Sequence, residues 1–250
     1  MMIEQISIDL TNKCSKGCSF CYNKSNHSNG HLWERDELIC LIEDCIKHDT
    51  KAISLGGGEP LEYPYIFELI SYVAKKAFVS MTTNGLLLEV EDNFEKLKSS
   101  GLDKIHISVH NPENHNEVSR ILEQLKRIQS ATQIIPGINL LVKSNNIDAC
   151  KKVYKEFRGY LDPKEIILVP MRFKDTPEAK QLLEITGGNP FQSPSCLLSC
   201  TKPSNFCSVS WDKKVNWCSF AHGKQKLNNL TYSGLLEALS KVQFQSCVSQ

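Results

Sequence analysis

The chain has 250 residues, a formal net charge of +1 at pH 7 and 41% hydrophobic residues, which is an ordinary globular composition. Nothing in it indicates the clustered basic face of a nucleic-acid-binding protein or an apolar run of about 18 residues that could span a membrane. The N-terminal MMIEQISIDL lacks the basic region and cleavage site of a secretory signal, so we expect a cytoplasmic protein that binds neither nucleic acid nor a membrane.

Short strand-like runs alternate with helix-like runs from the N-terminus onward. The predicted strands are residues 5–10, 51–56, 78–83, 104–109, 137–143 and 165–169. The predicted helices are residues 34–48, 65–76, 91–100, 114–130 and 147–157. Alternation of this kind predicts βαβ units and a parallel sheet, and therefore an α/β fold.

Several predicted strands have one apolar and one polar face. In QISIDLT the two alternating sets are Ile6, Ile8, Leu10 and Ser7, Asp9, Thr11. A parallel sheet covered by helices on both faces would be apolar throughout, so we expect helices on one face and a polar cavity on the other. About six units fit before residue 187, fewer than the eight of a closed barrel, which predicts an open, partial (β/α)6 TIM-like barrel. Its active site is expected at the C-terminal ends of the strands.

A change of composition near residue 187 predicts a domain boundary. The segment GGNPFQSPS, residues 187–195, is rich in Gly, Pro and Ser and interrupts the alternation. After it the chain is rich in cysteine and has a predicted hairpin around residues 212–214. We therefore predict a core domain over residues 1–186 and a small cysteine-rich α+β extension over residues 187–250.

The 11 cysteines point to metal binding or catalysis, because thiols stay reduced in the cytoplasm and an odd count argues against a full set of disulfides. One group consists of Cys14, Cys18 and Cys21, in CSKGCSFC directly after the first strand. A closed zinc site takes four such ligands. Three thiolates would instead hold three irons of a four-iron cubane and leave the fourth iron open for another ligand.

Other notable motifs also follow predicted strands. GGGEP, residues 56–60, follows the second strand and TTNG, residues 82–85, ends the third. Ser108 and His110 end the fourth strand, and Asn139 lies on the polar face of the fifth. Because the carboxyl ends of parallel strands share one rim, we expect these motifs to converge there.

The C-x3-C-x2-C loop after the first strand resembles the signature of the radical SAM superfamily, and residues 3–170 match the expected motif order. The resemblance implies a [4Fe–4S] cluster on Cys14, Cys18 and Cys21, with S-adenosylmethionine on the fourth iron. One electron would cleave the sulfonium, and the resulting 5′-deoxyadenosyl radical would abstract a substrate hydrogen atom. The cofactor supplies this chemistry and the protein positions it.

The resemblance also implies further cofactor-binding residues. In GGGEP, glycine allows close backbone approach and Glu59 can accept from the methionine ammonium. Phe20 matches an aromatic near the adenine. The implied cofactor-binding set is Phe20, Gly56, Gly57, Gly58, Glu59, Thr82, Asn84, Ser108, Asn139 and Arg172.

For two residues of the predicted site, a purely structural role is an alternative to the functional role. His110 is predicted as a catalytic proton donor or acceptor, since its ordinary pKa lies near neutrality, and the alternative is a hydrogen-bonding structural histidine. Arg172 is predicted to pair with a carboxylate of the cofactor or substrate, and the alternative is a solvent-exposed arginine.

The C-terminal cysteines resemble the SPASM or shorter twitch extension of this superfamily, which binds an auxiliary [4Fe–4S] cluster. The resemblance implies Cys200, Cys218 and Cys247 as ligands, with Cys207 or Cys196 as the fourth. The chain departs from the pattern at Lys213, where a hairpin glycine is usual, and in lacking a dense downstream cysteine run. A structural zinc site and unligated thiols stay open as alternatives.

These features predict a radical SAM enzyme that carries out a net oxidative modification of a small molecule. The auxiliary cluster would accept an electron from the substrate radical, and a flavodoxin or ferredoxin would supply the first electron. Few residues precede the first strand, so we expect no N-terminal peptide-recognition domain. The alternatives are a maturase acting on a ribosomal peptide or protein and a non-catalytic iron–sulfur or zinc regulatory module, which would not cleave S-adenosylmethionine.

Overall fold

The computed structural model describes residues 2–28, 30–172, 174–188, 195–198, 200–245 and 247. Within these ranges the strands are β1 (Gln5–Asp9), β2 (Ala52–Gly56), β3 (Phe78–Thr83), β4 (Lys104–Val109), β5 (Ile135–Val142), β6 (Ile166–Pro170), β7 (Phe206–Val209), β8 (Lys214–Asn216) and β9 (Gln225–Lys226). The α-helices are α1 (Arg35–Lys47), α2 (Ile66–Val73), α3 (Glu91–Ser99), α4 (His115–Ala131), α5 (Ile147–Phe157), α6 (Ala179–Thr186), α7 (Ser195–Leu198) and α8 (Tyr232–Ser240).

Two compact units share the chain. The first comprises residues 1–83, 90–103 and 202–246, and the second comprises residues 84–89, 104–201 and 247–250. The C-terminal strands β7 to β9 thus belong to the same unit as β1 to β3. Within the part of the chain that the structure describes, no helix is long and apolar enough to cross a membrane.

The sheet of the first unit has the strand order β3-β2-β1-β7-β8-β9. Strands β1, β2, β3 and β7 are parallel, whereas β8 and β9 continue from β7 in antiparallel fashion. One face is apolar: Ile6 of β1 is in register with Ile53 of β2 and with Cys207 of β7, and all three are buried. Helices cover this unit's core, with α8 packed against α1 and β8.

The opposite face of that sheet carries a row of serines. Ser7 of β1 is in register with Ser54 of β2 and Ser208 of β7, and Ser54 is in register with Ser80 of β3. The Ser80 hydroxyl donates to the Ser54 oxygen at 3.1 Å. Side chains two residues apart share a face, so this row lies opposite the isoleucines. The predicted alternation of apolar and polar faces is therefore present in the folded unit.

The second unit contains the parallel strands β4, β5 and β6, with α4, α5 and α6. The N-cap of α4 is Asn114, whose side chain accepts from the N–H groups of Asn116 and Glu117. The α6 helix ends at Gly187, which has φ +68° and so supplies the left-handed residue that closes a helix. On β4 the buried Ile105 and Ile107 alternate with partly buried polar residues.

The six predicted strands of the α/β fold are all present, and an open, parallel sheet of the partial-barrel type is confirmed. The third and fourth strands begin and end where predicted, and the others shift by one or two residues. The predicted boundary at residue 187 stays a prediction, because residues 189–194 lie outside the described residues. The parallel pairing of β7 with β1 was not predicted.

Candidate active site

The cysteine loop that follows β1 is anchored by backbone hydrogen bonds to a returning segment. The N–H of Cys14 donates to the carbonyl of Asn26 at 3.0 Å, and the N–H of Asn26 donates to the carbonyl of Asn12 at 3.3 Å. The N–H of Ser15 donates to Oε1 of Glu62 at 2.7 Å. These bonds fix the first cysteine of the loop relative to the end of β1.

The three thiols of the loop differ in burial. Cys14 is 9% exposed, while Cys18 and Cys21 are partly buried. Burial raises the pKa of the Cys14 thiol, and the backbone N–H groups of Gly17 and Lys16 oppose that shift. The same two N–H groups would stabilise negative charge on a metal-bound sulfur. The loop thus presents one sheltered and two more accessible thiols.

The donor chemistry of this loop fits an iron–sulfur cubane. Thiolates are the usual ligands of such clusters, and each of three irons would take one cysteine. Cysteines that hold a cubane lie further apart than ligands of a single ion. Among the described residues, no three His, Cys, Asp or Glu side chains are placed to hold one metal ion. The fit of Cys14, Cys18 and Cys21 to a cluster rests on their thiol chemistry and number.

The turn after β2 is locked against the cysteine loop. The N–H of Gly58 donates to the Thr11 carbonyl at 2.7 Å, and the N–H of Glu59 donates to the Lys13 carbonyl at 2.8 Å. A Cβ on Gly58 would lie 1.9 Å from the Lys13 carbonyl oxygen. Gly57 has φ +108°, and a Cβ there would lie 2.8 Å from backbone atoms of residues 9 and 10. These two glycines are therefore needed for contact between the loops.

Gly56 differs from the two glycines after it. A Cβ built on Gly56 meets no atom within 4 Å, so this position opens onto space. Gly56 is in register with Asp9 of β1 and lies two residues after Ser54, on the polar face. Open space therefore lies beside the C-terminal end of β1.

Glu59 is held by hydrogen bonds within the first unit. It is 1% exposed and accepts from the Thr83 hydroxyl at 2.6 Å and from the Leu61 N–H at 3.1 Å. The carboxylate thus joins the turn after β2 to the end of β3, and its contact with the methionine ammonium stays a prediction. Thr82 is partly buried and lies on the polar face of β3, which keeps it a candidate for cofactor contact. Phe20 is also partly buried.

Asp9 is a site residue that the motifs did not identify. It is 3% exposed, and its Oδ1 accepts from the Tyr22 hydroxyl at 3.1 Å. Burial raises the pKa of Asp9 to about 6, while Lys224 and the Tyr22 hydrogen bond act in the opposite direction. The available signal was an acidic residue at the C-terminal end of a strand's polar face. The alternation of apolar and polar residues predicts the face of the strand on which Asp9 lies, but it does not predict that Asp9 is buried.

In the second unit, the segment from Asn84 forms a hydrogen-bonded turn. The Asn84 side chain accepts from the Leu86 N–H at 2.9 Å and is 6% exposed. The Gly85 carbonyl accepts from Nε2 of Gln124 at 2.8 Å, and Gly85 has φ +79°. Asn84 therefore shapes this turn, and its predicted contact with the cofactor stays a prediction.

Ser108 of β4 and Asn139 of β5 are in register on the partly buried polar face of the second unit. Oδ1 of Asn139 lies 3.0 Å from Nδ1 of His106. The backbone N–H of His110 donates to Oε1 of Glu117 at 2.6 Å, and the His110 side chain is partly buried. These bonds leave the predicted catalytic role of His110 as a prediction.

Arg172 contacts a cysteine. Its Nε donates to Sγ of Cys247 at 3.2 Å, and another of its nitrogens donates to the Pro170 carbonyl. Cys247 is 5% exposed, and Cys200, in the same unit, is partly buried. Arg172 thus contacts a predicted cluster ligand, and its pairing with a carboxylate of the cofactor or substrate stays a prediction.

Cys207 and Cys218 lie in different surroundings within the first unit. Cys207 is 0% exposed, and burial together with Cys45 of α1 raises the pKa of its thiol well above the ordinary range. Cys218 is partly buried and lies close enough to Tyr22 for its charge to raise the Tyr22 pKa. Because Cys207 faces the helix-covered core, we remove it from the expected ligand set. The side chain of Cys196 lies outside the described residues.

Residues 8–154 match the family model described as the Radical SAM superfamily. The probable GTP 3',8-cyclase of Methanocaldococcus jannaschii is 31% identical over 156 residues, which cover 58% of this chain and 52% of that protein. The GTP 3',8-cyclase of Clostridium perfringens strain SM101 is 30% identical over 243 residues, which cover 87% of this chain and 73% of that protein. The chain spans about half the length of several curated relatives that it matches.

The fold is similar to that of Streptococcus suis SuiB bound to S-adenosylmethionine. The TM-score is 0.70 at 13% identity, over 87% of this chain and 60% of that chain. SuiB bound to the precursor peptide SuiA aligns with a TM-score of 0.62, over 88% of this chain and 60% of that chain. At these identities the similarity shows the fold alone.

Proposed function

Because the chain belongs to the radical SAM superfamily, we propose that it is an enzyme that oxidises a small organic substrate with a [4Fe–4S] cluster and S-adenosylmethionine. When bound, these groups would supply the radical chemistry that removes a hydrogen atom from the substrate, and an auxiliary cluster would accept the electron that follows. A flavodoxin or ferredoxin is the proposed electron donor. The protein's own residues hold, orient and enclose these groups.

The observation that carries this proposal is the backbone lock between the cysteine loop and the GGGEP turn. The backbone N–H groups of Gly58 and Glu59 donate to the carbonyls of Thr11 and Lys13, and these two hydrogen bonds join the turn to the loop. Cys14 to Cys21 would hold the cluster, and the open position at Gly56 leaves room beside it for a ligand. This pre-formed arrangement supports catalysis over a purely structural metal site.

An auxiliary cluster is the second part of the proposal. Its supporting feature is the Cys247 thiol that Arg172 contacts in the second unit, where Cys200 is partly buried. An arginine donor beside a sulfur would stabilise a thiolate ligand. A structural zinc site or unligated thiols are the outcomes that metal analysis would separate from a cluster.

The curated relatives are named for a reaction of GTP, which makes GTP a substrate to consider. A triphosphate calls for cationic side chains. The polar face of β1, β2, β3 and β7 carries the serine row and Asp9, and the cation Lys224 lies near enough to Asp9 to lower its pKa. In the second unit, Lys104 is paired with Glu165. We propose a small-molecule substrate, with a peptide as the alternative substrate.

The test uses anaerobically reconstituted full chain. Two cubanes would give about eight irons per chain and one would give about four. With S-adenosylmethionine and a reductant, wild type should form 5′-deoxyadenosine, and Cys14→Ala, Cys18→Ala or Cys21→Ala should abolish it. Cys40→Ala is the matched control, because Cys40 is exposed on α1. Absence of 5′-deoxyadenosine from wild type would support the non-catalytic alternative.

A further inference from the structure

Asp9 is a buried carboxylate with unused hydrogen-bonding capacity. It is 3% exposed, and among the described residues its one hydrogen bond comes from the Tyr22 hydroxyl at 3.1 Å. An ionised carboxylate offers about four acceptor positions, so most of them have no donor within the protein. Burying such a group is costly unless a partner supplies the missing donors. This carboxylate therefore points to a ligand.

Space for that ligand lies next to Asp9. In the parallel pairing of β1 with β2, Asp9 is directly opposite Gly56, so their side-chain positions share one face. No atom lies within 4 Å of a Cβ built on Gly56, although Gly57 and Gly58 are tightly packed. The opening is thus confined to the one glycine that faces the carboxylate.

One lysine and one aspartate act on the charge of Asp9, and the effect of the lysine is the larger. Lys224 attracts the carboxylate, but no Lys or Arg nitrogen of the described residues forms an ion pair with it. Asp212 repels it and is itself paired with Lys214 at 2.5 Å. Burial raises the pKa of Asp9 to about 6, so the group is mostly ionised at pH 7 to 8. Because Lys224 acts on Asp9 without a direct ion pair, the ionised carboxylate can still accept a positively charged ligand in contact with it.

Two aromatic rings belong to the same surroundings. Tyr22 donates to Asp9, and its ring centroid lies 4.8 Å from that of Phe220. Aromatic rings near a carboxylate suit an ammonium group, which gains from both the charge and the ring quadrupole. A phosphate would be repelled by both features.

We propose that Asp9 binds an ammonium group of the substrate, which makes the substrate an amine. This inference rests on the proposed function, because it names the substrate class of that site. S-adenosylmethionine also carries an ammonium group. The ammonium bound by Asp9 could therefore belong to the substrate or to S-adenosylmethionine, and the experiment must separate the two. Asp9 acts here as a specificity-determining residue, and no proton transfer is assigned to it.

The first arm measures binding of three matched probes, cyclohexylamine, cyclohexanol and cyclohexanecarboxylate, to the reconstituted full chain by ligand-observed NMR. Wild type should bind the amine in preference to the other two. Asp9→Asn should weaken amine binding by roughly tenfold or more, because one charged hydrogen bond is lost. Asp36→Asn, an equal change of charge at an exposed site on α1, should bind like wild type. Equal binding of the three probes by wild type, or unchanged amine binding by Asp9→Asn, would overturn the proposal.

The second arm separates the two sources of ammonium. The Kd of S-adenosylmethionine should be the same for wild type and Asp9→Asn, and a tenfold weakening would overturn the proposal by assigning the carboxylate to the cofactor. Gly56→Val gives an independent variant, since it fills the space beside Asp9 without removing charge, and it should also lose amine binding. If wild type binds the amine but forms no 5′-deoxyadenosine, the proposed function fails while the binding site stands.

Discussion

Thr83 donates its hydroxyl hydrogen bond to Oε1 of Glu59 at 2.6 Å, and each of the two residues is 1% exposed. The bond joins the last residue of β3 to the turn that follows β2. Glu59 also accepts from the Leu61 N–H at 3.1 Å, so its carboxylate is satisfied from within the first unit. The acidic residue of GGGEP therefore stabilises the turn that contacts the cysteine loop.

Replacing Thr83 with Val should lower the free energy of unfolding by about 1–3 kcal/mol. Valine has nearly the same shape, but it leaves a buried carboxylate without one of its donors. Urea denaturation of the reconstituted protein measures the change. Thr82→Val is the matched control: the Thr82 side chain is partly buried on the polar face, and the loss should stay within about 0.5 kcal/mol. Equal losses in the two variants would contradict the role of Thr83.

Gly58→Ala should disrupt the cysteine loop, whereas Gly56→Ala should not. The new Cβ at residue 58 would lie 1.9 Å from the Lys13 carbonyl oxygen, which forces the backbone of the loop to move. Overpacking of this kind costs about 1–3 kcal/mol. Gly58→Ala should therefore bind less iron on reconstitution and unfold at lower temperature. Gly56→Ala meets no atom within 4 Å and should keep both properties. Equal iron content in the two variants would show that the loop does not depend on this contact.

Local patterns in the sequence were sufficient for β1 to β6. Residues such as Ile105 and Ile107 alternate with polar neighbours, and this period-2 pattern defines both the strand and its buried face. The pairing of β7 with β1 could not be predicted in the same way. Gln5 is in register with Phe206, some two hundred residues later, and nothing local indicates which strand a four-residue segment will join.

The residues of the candidate site also fall into two groups, those that a local sequence pattern identifies and those whose surroundings depend on distant contacts. Cys14, Cys18 and Cys21 could be identified because their spacing lies within one loop. The hydrogen bond between Glu59 and Thr83 could not be predicted, because the two residues lie 24 positions apart in the sequence. Asp9 was visible as a polar-face residue, but its burial depends on contacts with distant groups such as Lys224, which no local pattern specifies.

Cys207→Ala and Cys218→Ala should differ in iron content. Cys207 is buried beside Cys45 in the helix-covered core, so its loss removes packing but no proposed ligand. Cys218 is partly buried and belongs to the proposed auxiliary set. We expect about eight irons per chain for wild type and Cys207→Ala, and about four for Cys218→Ala. Loss of iron from Cys207→Ala, with no loss from Cys218→Ala, would reverse the assignment.

His106 should make the second unit less stable in mild acid. Its side chain is 14% exposed, and burial lowers its pKa below the ordinary value of 6.5. Lys104 lowers it further, while the Asn139 hydrogen bond and Glu165 raise it. Above about pH 6.5 the imidazole is neutral in both the folded and unfolded states and makes no pH-dependent contribution. As the pH falls below 6.5, the unfolded chain takes up a proton that the folded chain resists, so stability decreases until the lowered pKa is reached.

Urea midpoints between pH 8 and pH 5 would measure this effect. Wild type should lose stability over that interval, and His106→Gln should lose less, because the substitution removes the titrating group. His115→Gln, at an exposed position in the first turn of α4, should keep the wild-type pH profile. Asp9, whose pKa is raised to about 6, also takes up protons over this interval, so the informative quantity is the difference between His106→Gln and wild type at each pH. Parallel profiles for the two proteins would show that the buried imidazole is not the cause.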